Sequence, residues 1–396
     1  MGGRGIAVVV AALLLAGVTP GAALAQTIQE QQWHLGALGV GRAHELATGE
    51  GVVVAVVDSG VDDTGPDLAG AVLPGTGFAN ARGTDGTEDA DGHGTAMAAL
   101  IAGRGVAGGA LGIAPGARVL PVSLGSEDGR FSMGAVAAGI TWAVDQGADV
   151  INLSLTSAAT LTPDLLRAVN YAFEHDIVVV AGTGNAGEHH VGAPANIRGV
   201  IAVSGTEQGN ALWSSSNTGP ETVLAAPARE IVTAVPVAVS ATGYAAVDGT
   251  SAATALVSGV AALVRSRHPG LDAGNVVHRL IATATDLGPP GVDDTSGYGQ
   301  VDPVAALTAD LPAVDRNPLA PPPLPTTTPP PPADDTRAAP PGPDASGDTR
   351  TAVALGGLLL VAAAVTAVAV PLGRRRRTEP RVTELPPPGD DFWRPR

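Results

Sequence analysis

The sequence contains no cysteine among its 396 residues. Disulfide bonds, thiolate metal sites and a cysteine nucleophile are therefore excluded from the start. Positive charge is also scarce, because 22 lysines and arginines stand against 38 acidic residues and give a formal net charge of −16. Nucleic-acid binding relies on clustered basic residues, so this balance argues against a DNA or RNA partner. The basic block RRRR at 374–377 has a different explanation, given below.

The first 25 residues have the three parts of a secretory signal peptide. Arg4 provides the positive charge, residues 6–18 form an apolar stretch, and Ala23, Leu24 and Ala25 make a small-x-small cleavage pattern. We therefore predict that residues 1–25 are a signal peptide that is removed on export. The alternative, an ordinary buried strand or helix, is disfavoured by the terminal position and by the cleavage pattern.

A second apolar segment, residues 351–373, carries no charged residue. As a helix it would extend over roughly 30 Å, which matches the hydrocarbon core of a bilayer. Four arginines follow it directly, and basic residues mark the cytoplasmic side of a membrane helix. A buried soluble helix would seldom end in this way. The sequence therefore predicts a single-pass protein of the cell membrane, with an extracytoplasmic main domain and a short cytoplasmic tail, residues 374–396.

Proline is concentrated between the main domain and the predicted membrane helix, in residues 311–350. Proline at this density does not sustain a helix or a sheet, and little apolar surface remains to form a core. We predict that this segment is a polyproline-rich stalk. The folded domain is then residues 48–310, and residues 26–47 form a short N-terminal extension.

Within the folded domain, apolar runs alternate with stretches of small residues. Runs rich in valine and isoleucine predict strands at 51–58, 148–155, 176–185 and 199–205, and the other stretches predict helices at 93–103, 132–147 and 161–176. Nearly continuous apolar strands suit a parallel sheet that is buried on both faces. In the last helix, four residues are predicted to share one apolar face: Leu165, Leu166, Val169 and Phe173. The alternation indicates a doubly wound α/β fold.

Four polar residues are predicted at strand ends and helix starts, where reactive groups gather in such folds. Asp58 ends the first strand in VVVAVVDSG, and His93 begins a helix in DGHGTAMAALIAG. Ser251 begins another helix in GTSAATALVSG, and Asn185 follows a strand in VVVAGTGNAG. Taken singly, Asp58 is also consistent with a turn residue, His93 with a helix-start donor and Ser251 with a helix N-cap. Their order and positions together favour catalysis.

These residue types form a complete set for nucleophilic catalysis by serine. A serine hydroxyl is a weak nucleophile until an imidazole accepts its proton, and a carboxylate on the other ring nitrogen holds the required tautomer. A side-chain amide and an N–H group at a helix start can stabilise the oxyanion of the tetrahedral intermediate. The flanking residues Gly249, Thr250, Ala252 and Ala253 do not fit the GxSxG pattern of the α/β-hydrolases.

The chain resembles the subtilisin family over about residues 48–307, and the motifs are specific as a set. They are DSG at 58–60, HGT at 93–95, the Gly-Asn pair at 184–185, GTS at 249–251, LGIAPGARV at 111–119 and GYGQVDPVAAL at 297–307. The resemblance implies an α/β fold, a three-layer sandwich with a mostly parallel sheet. It also implies a serine endopeptidase that works through an acyl-enzyme on protein or peptide substrates. This chemistry needs no cofactor, and we expect none.

The roles of individual residues are carried over from the resemblance. It implies that Ser251 is the nucleophile, His93 the general base and then acid, and Asp58 the residue that orients His93. Asn185 would donate to the oxyanion. Substrate would bind along an edge formed by three further residues, Ser154, Leu155 and Gly184.

Within that family the chain is similar to the mycosin group, membrane-anchored serine proteases associated with type VII secretion. The supporting residues are QQWHLGALGVGRAHELATGEGVVVAVVDSGVD at 31–62, the GYGQVDP ending, the stalk and the anchor. This implies a type VII secretion membrane complex as a partner. Residues 26–47 are too few for the folded propeptide of secreted subtilisins, and we expect them to pack against the core.

The chain departs from the usual subtilisin pattern at several positions. Thr156 stands where glycine is usual after the Ser-Leu pair, which alters the substrate edge, and no proline follows Ser251. Residues 103–112 contain no carboxylate or amide side chain. Because Ca²⁺ needs several oxygen ligands and Asp67 alone would not supply them, we expect no strong calcium loop.

A competing hypothesis belongs to a different class of function. The chain would then be a catalytically silent scaffold that stabilises a membrane secretion complex. A pure scaffold has no need of the aspartate, histidine, serine and asparagine in their motifs, so the sequence favours the peptidase.

Overall fold

The computed structural model describes residues 26–125, 131–157, 161–320 and 383–384. The predicted signal peptide, the stalk beyond residue 320 and the predicted membrane segment lie outside these described residues. Within the described part of the chain, no helix has the length and apolar character needed to cross a membrane.

A seven-stranded sheet forms the centre of the fold. Its strands are β1 Val53–Asp58, β2 Thr76–Gly77, β3 Arg118–Ser123, β4 Val150–Leu153, β5 Val178–Gly182, β6 Ile201–Thr206 and β7 Leu224–Pro227. Their spatial order is β2-β3-β1-β4-β5-β6-β7, and every neighbouring pair is parallel. Every residue of β4, β5 and β6 is buried, so the sheet is covered on both faces. The predicted α/β fold with a mostly parallel sheet is confirmed.

Helices pack on this sheet. The α-helices of the described residues are α1 Ile28–Gln31, α2 Trp33–Ala37, α3 Val40–His44, α4 His93–Ala102, α5 Met133–Asp145, α6 Pro163–Glu174, α7 Thr250–Arg267, α8 Ala273–Ala282 and α9 Pro303–Thr308. Helix α7 contacts the sheet from β4 to β7 and packs against α4. Helix α5 approaches β1 and β3 so closely that a Cβ atom on Gly139 would stand 2.9 Å from Val122 Cγ1. Helices α4 and α7, which begin at the HGT and GTS motifs, lie side by side because they pack against each other.

Helix α6 corrects one detail of the sequence prediction. Leu165 and Val169 are fully buried as predicted, and Phe173 is partly buried against the core, but Leu166 is 38% exposed. Adjacent residues of a helix differ by about 100° in direction, so Leu165 and Leu166 cannot both face the core. Thr162 caps this helix by accepting a hydrogen bond from Leu165 N at 3.3 Å.

The N-terminal extension packs against the folded domain. The Gln32 amide donates to Leu111 O and Val232 O, both at 3.1 Å, and Gln32 Oε1 accepts from Leu111 N at 2.8 Å. Trp33 Nε1 donates to Glu230 O at 3.1 Å. These contacts tie the extension to two separate segments of the domain, as the sequence leads us to expect.

A small antiparallel sheet lies apart from the central one. Strand β8, Ile231–Ala234, pairs with β9, Tyr244–Val247. Residues Thr383–Glu384 form a short strand, β10, that is antiparallel to β9. These two residues of the predicted tail therefore lie beside the folded domain.

Candidate active site

Asp58 and His93 are in direct contact. Asp58 is the last residue of β1 and is fully buried. Its Oδ1 accepts from Ser59 N at 2.7 Å and from His93 Nδ1 at 2.8 Å. Because a carboxylate can only accept, this contact places the ring proton on Nδ1 and leaves Nε2 to face other groups. Asp58 Oδ2 is buried and has no hydrogen-bond partner among the described residues.

The start of α4 fixes the position of His93, its first residue. A buried carboxylate, Asp89, holds this helix start: its Oδ1 accepts from Gly92 N at 2.8 Å and its Oδ2 from Thr95 N at 2.9 Å. A Cβ atom on Gly94 would lie 2.0 Å from Gly60 O, so glycine is required where α4 meets the turn after β1. This close packing of Gly94 against Gly60 allows the His93 ring to reach Asp58.

Negative charge surrounds the imidazole of His93, whose side chain is 18% exposed. Burial favours the neutral ring, but the charge and hydrogen bond of Asp58, together with Asp91 and Asp89, outweigh burial and raise the pKa of His93 to about 9. These carboxylates therefore stabilise a positive charge on the ring, which is the charge that a general base acquires when it takes a proton.

Ser251 is held beside the end of β4. It follows Thr250, the first residue of α7, and the helix N-cap is Gly249, so the interpretation of Ser251 as an N-cap is wrong. The Ser251 hydroxyl donates to Ser154 O at 3.1 Å, and the Ser154 hydroxyl donates to Ser251 O at 2.9 Å. No hydrogen bond joins Ser251 and His93 among the described residues. The structure thus joins Asp58 and His93 by a hydrogen bond. It places Ser251 in the first turn of α7, beside the end of β4, which is the neighbour of β1 in the sheet.

A buried network of hydrogen bonds holds the Ser154 side chain in place. Asn152 Nδ2 donates to Ser154 Oγ at 2.9 Å, and Ser258 Oγ donates to Asn152 Oδ1 at 3.0 Å. Asn152 and Ser258 are both fully buried. Because buried polar groups are costly unless they are paired, this network fixes the Ser154 side chain and with it the Ser251 backbone.

Asn185 is connected to the residue just before Ser251. Its Oδ1 accepts from Thr250 N and from Thr250 Oγ1, both at 2.9 Å. A backbone N–H can only donate, so this contact identifies Oδ1 and directs the amino group elsewhere. The amino nitrogen lies 3.4 Å from where a Cβ on Gly249 would be, which places it near the start of α7.

The three residues of the predicted substrate edge lie at the ends of two neighbouring strands. Ser154 and Leu155 follow β4 and are both buried. Gly184 follows β5 with a φ of 120°, and its N–H donates to Thr250 Oγ1 at 3.3 Å. Thr156, the residue after Leu155, is exposed, and its hydroxyl donates to Gly182 O at the end of β5.

Sequence reasoning missed residues that shape this region through hydrogen bonds. Asn217 is the clearest case: its Oδ1 accepts from Ala186 N at 2.8 Å and Glu188 N at 3.1 Å, and its Nδ2 donates to His190 O at 2.9 Å. It therefore fixes the loop that carries Asn185. The SSSNTGP stretch around it gives no sign of this role beyond its polar composition.

Comparisons with known proteins agree with this architecture. A model of the subtilase family, peptidase S8, matches residues 49–299. Subtilisin BL of Lederbergia lenta is 36% identical over 261 residues, which are 66% of this chain and 93% of that protein. The crystal structure of MycP1 from Mycobacterium smegmatis is similar with a TM-score of 0.64 and 30% identity, covering 77% of this chain and 90% of that one. The MycP3 protease from the type VII (ESX-3) secretion system has a TM-score of 0.60 and 34% identity, covering 75% and 91%.

Proposed function

Because the chain belongs to the subtilase family and is a serine peptidase, we propose that it cleaves peptide bonds with Ser251 as nucleophile, His93 as general base and Asp58 as the residue that orients His93. The contact of 2.8 Å between His93 Nδ1 and Asp58 Oδ1 carries this proposal. It leaves Nε2 of the neutral ring as the acceptor for a serine proton.

The Ser251 hydroxyl has to change its partner for the reaction to begin. It donates to Ser154 O at 3.1 Å, so it rotates about its Cα–Cβ bond toward His93 Nε2. Its oxygen then attacks the substrate carbonyl carbon while His93 takes the proton. The same proton passes from His93 to the leaving amine, which leaves an ester between the substrate acyl group and Ser251. Water activated by His93 hydrolyses this ester and restores the serine.

We infer that two N–H groups donate to the oxyanion. The first four N–H groups of a helix have no partner within the helix, and the Ser251 N–H is among those of α7. The Asn185 amino group is the second donor, because the opposite end of that amide is fixed by Thr250. Donors that are held in place before the reaction stabilise the developing charge without reorganisation.

A serine-directed fluorophosphonate probe tests the proposal. We expect the wild-type enzyme to be labelled and Ser251→Ala to remain unlabelled. Ser266→Ala is the matched control, since Ser266 lies near the other end of the same helix, where its hydroxyl donates to Glu50 O at 2.9 Å. Labelling of Ser251→Ala, or loss of labelling in Ser266→Ala, would contradict the assignment.

The same experiment separates the peptidase from the silent scaffold. A scaffold that has lost catalysis would fold normally and would not react with the probe. The buried Asp58 carboxylate paired with His93 argues against this alternative, because an ion that serves no chemistry is costly to bury. Folded wild-type protein that resists the probe would favour the scaffold.

We further propose that the enzyme is anchored in the cell membrane, faces the extracytoplasmic side and serves a type VII secretion complex. The uncharged segment 351–373 with its four following arginines supports the anchor, although it lies outside the described residues. The structural similarity to MycP1 and to MycP3 of a type VII secretion system supports the secretion role. Protein or peptide substrates follow from the family.

The pairing of Thr383–Glu384 with β9 argues against a cytoplasmic tail, because a tail across the membrane cannot reach an extracytoplasmic strand. The cysteine-free chain allows a direct decision with two single-cysteine variants, Glu174→Cys in the domain and Glu379→Cys in the tail. On intact cells a membrane-impermeant maleimide should label the first variant and not the second. Labelling of both would contradict the anchored topology and would support the strand pairing.

A further inference from the structure

A gap between two strand ends opens beside Ser251, and we call it the side-chain slot. One wall is the segment that follows β4, residues 154–156, and the opposite wall is the segment 182–184 at the end of β5. The far end is closed where Ser157 and Ala193 exchange backbone hydrogen bonds of 2.9 and 3.0 Å. Two glycines without side chains, Gly184 and Gly192, face into this slot.

Thr156 occupies the slot. Its hydroxyl donates to Gly182 O at 2.6 Å, across the gap. Its methyl carbon Cγ2 lies 3.3 Å from the Cβ position of Gly184 and 2.5 Å from that of Gly192. The methyl group therefore stands between the two glycines. Thr156 is nevertheless an exposed residue.

The slot lies where the acyl half of a substrate would put a side chain. The Ser251 hydroxyl donates a hydrogen bond to Ser154 O, at the first residue of one wall. Asn185 directly follows Gly184, the last residue of the other wall. A carbonyl group held between the Ser251 oxygen and the Asn185 amino group brings its own residue to this mouth. That residue can direct its side chain only as deeply as Thr156 permits.

We propose that the Thr156 methyl group restricts the residue before the scissile bond to small side chains, namely glycine, alanine and serine. This inference rests on the proposed peptidase function and assigns a specificity-determining role to a residue that differs from the usual glycine of the family. Filling a pocket by one methyl or methylene group changes discrimination by about 10-fold to 200-fold, which is enough to exclude leucine and phenylalanine from efficient cleavage.

Three variants separate the methyl group from the hydroxyl group. Thr156→Ser keeps the hydrogen bond to Gly182 O and removes the methyl group. Thr156→Val keeps a methyl group in the slot and removes the hydroxyl. Thr156→Gly removes both. Each is assayed with peptides that differ only in alanine, leucine or phenylalanine before the scissile bond, and fluorophosphonate titration gives the concentration of active sites.

We expect the wild type and Thr156→Val to prefer alanine, and Thr156→Ser and Thr156→Gly to gain about 10-fold or more in kcat/KM for leucine and phenylalanine. Equal cleavage of all three peptides by the wild type would overturn the inference. Relaxed preference in Thr156→Val but not in Thr156→Ser would also overturn it, because the hydrogen bond would then set the preference. If the fluorophosphonate probe does not label the wild type, the proposed function and this inference are both overturned. If the probe labels the wild type but the expected peptide preference is absent, only this inference is overturned.

Discussion

At the scale of single residues, the charge around His93 decides the pH at which the site works. A general base must be neutral before it can accept a proton from Ser251. Burial favours that neutral form, but the three neighbouring carboxylates prevail and raise the pKa of His93 to about 9. We therefore expect the imidazole of His93 to hold its second proton to a higher pH than an ordinary histidine, and activity to increase as the pH rises.

We expect kcat/KM to rise with pH and to reach half its maximum well above the ordinary histidine value of 6.5, toward 9. In Asp91→Asn, which removes one exposed carboxylate near the ring, the curve should move to lower pH. Asp164→Asn removes the same charge from the first turn of α6 and is the control, with an unchanged curve. The measurement is the pH dependence of kcat/KM; a midpoint at or below 6.5 would contradict the charge argument.

Asn185 offers a second prediction at this scale. Asn185→Ala removes the amino donor and should lower kcat by about 10²-fold to 10³-fold with little change in KM, because the interaction forms in the transition state. Thr250→Val removes one hydrogen bond to Asn185 Oδ1 and keeps the one from Thr250 N, so a decrease of less than about tenfold is expected. Similar losses in both variants would mean that Asn185 acts mainly by holding the helix start.

The sequence predicted the positions of Asp58, His93, Asn185 and Ser251 because each lies at an element boundary within a recognisable motif. It did not predict the part played by Thr250 and Asn217. Their hydrogen bonds join residues that are far apart in the chain, such as Thr250 and Asn185, and such bonds produce no periodic or local pattern. Similarly, the sequence indicates that Thr156 is unusual, but the distances to the two glycines come from the structure.

At the scale of elements, the loop of residues 103–112 is held by hydrogen bonds to a buried carboxylate. Asp67 is buried, and its carboxylate accepts from Val106 N at 2.8 Å, from Ala110 N at 2.9 Å and from the Tyr244 hydroxyl at 2.9 Å. Burial raises the pKa of Asp67, and the three donors oppose that rise. Within the described residues, no group of three or more histidine or acidic side chains could hold a metal ion. The hydrogen bonds from Val106 N and Ala110 N attach this loop to Asp67.

We expect a calcium chelator to leave both the melting temperature and the activity unchanged. Asp67→Asn should lower the free energy of unfolding by about 1–3 kcal/mol, since its amide nitrogen would meet a backbone donor. Asp63→Asn, at an exposed position four residues earlier, is the control and should change stability by less than about 0.5 kcal/mol. Thermal unfolding and peptide cleavage with and without chelator check the first prediction, and unfolding on chelation would contradict it. Chemical denaturation of the two variants checks the second, and equal stabilities would contradict it.

The sequence predicted the elements with a strong apolar pattern and missed the others. The four predicted strands correspond to β1, β4, β5 and β6, and the three predicted helices to α4, α5 and α6. The helix that was predicted to begin at Ser251 corresponds to α7. Strands β3 and β7 were not predicted, because Pro121 and Pro227 interrupt or end their apolar runs and proline normally disfavours a sheet interior. The small sheet of β8 and β9 depends on pairing between short segments, for which the local sequence holds little information.

At the scale of the whole molecule, two histidines affect stability in opposite directions. His34 in α2 is fully buried, and neither ring nitrogen has a hydrogen-bond partner among the described residues, so burial lowers its pKa to about 3. Below pH 6.5, the ordinary pKa of histidine, His34 is protonated in the unfolded chain and stays neutral in the folded one. The free energy of unfolding therefore decreases as the pH decreases. The raised pKa of His93 stabilises the fold fully below 6.5, and that contribution is lost as the pH rises toward 9.

His34→Leu tests the acid side of this balance. Between pH values of about 6.5 and 3, His34 should reduce the free energy of unfolding by up to about 1.4 kcal/mol per pH unit. The variant replaces the ring by an apolar group of similar size, so its stability should decline less steeply in urea titrations over that range. His175→Leu, at an exposed position after α6, is the control and should keep the wild-type slope. An unchanged slope in His34→Leu would mean that carboxylates govern acid unfolding. A shallower slope would place the acid-sensitive point in the N-terminal extension, where His34 lies, so that acid would loosen this segment from the domain that it packs against.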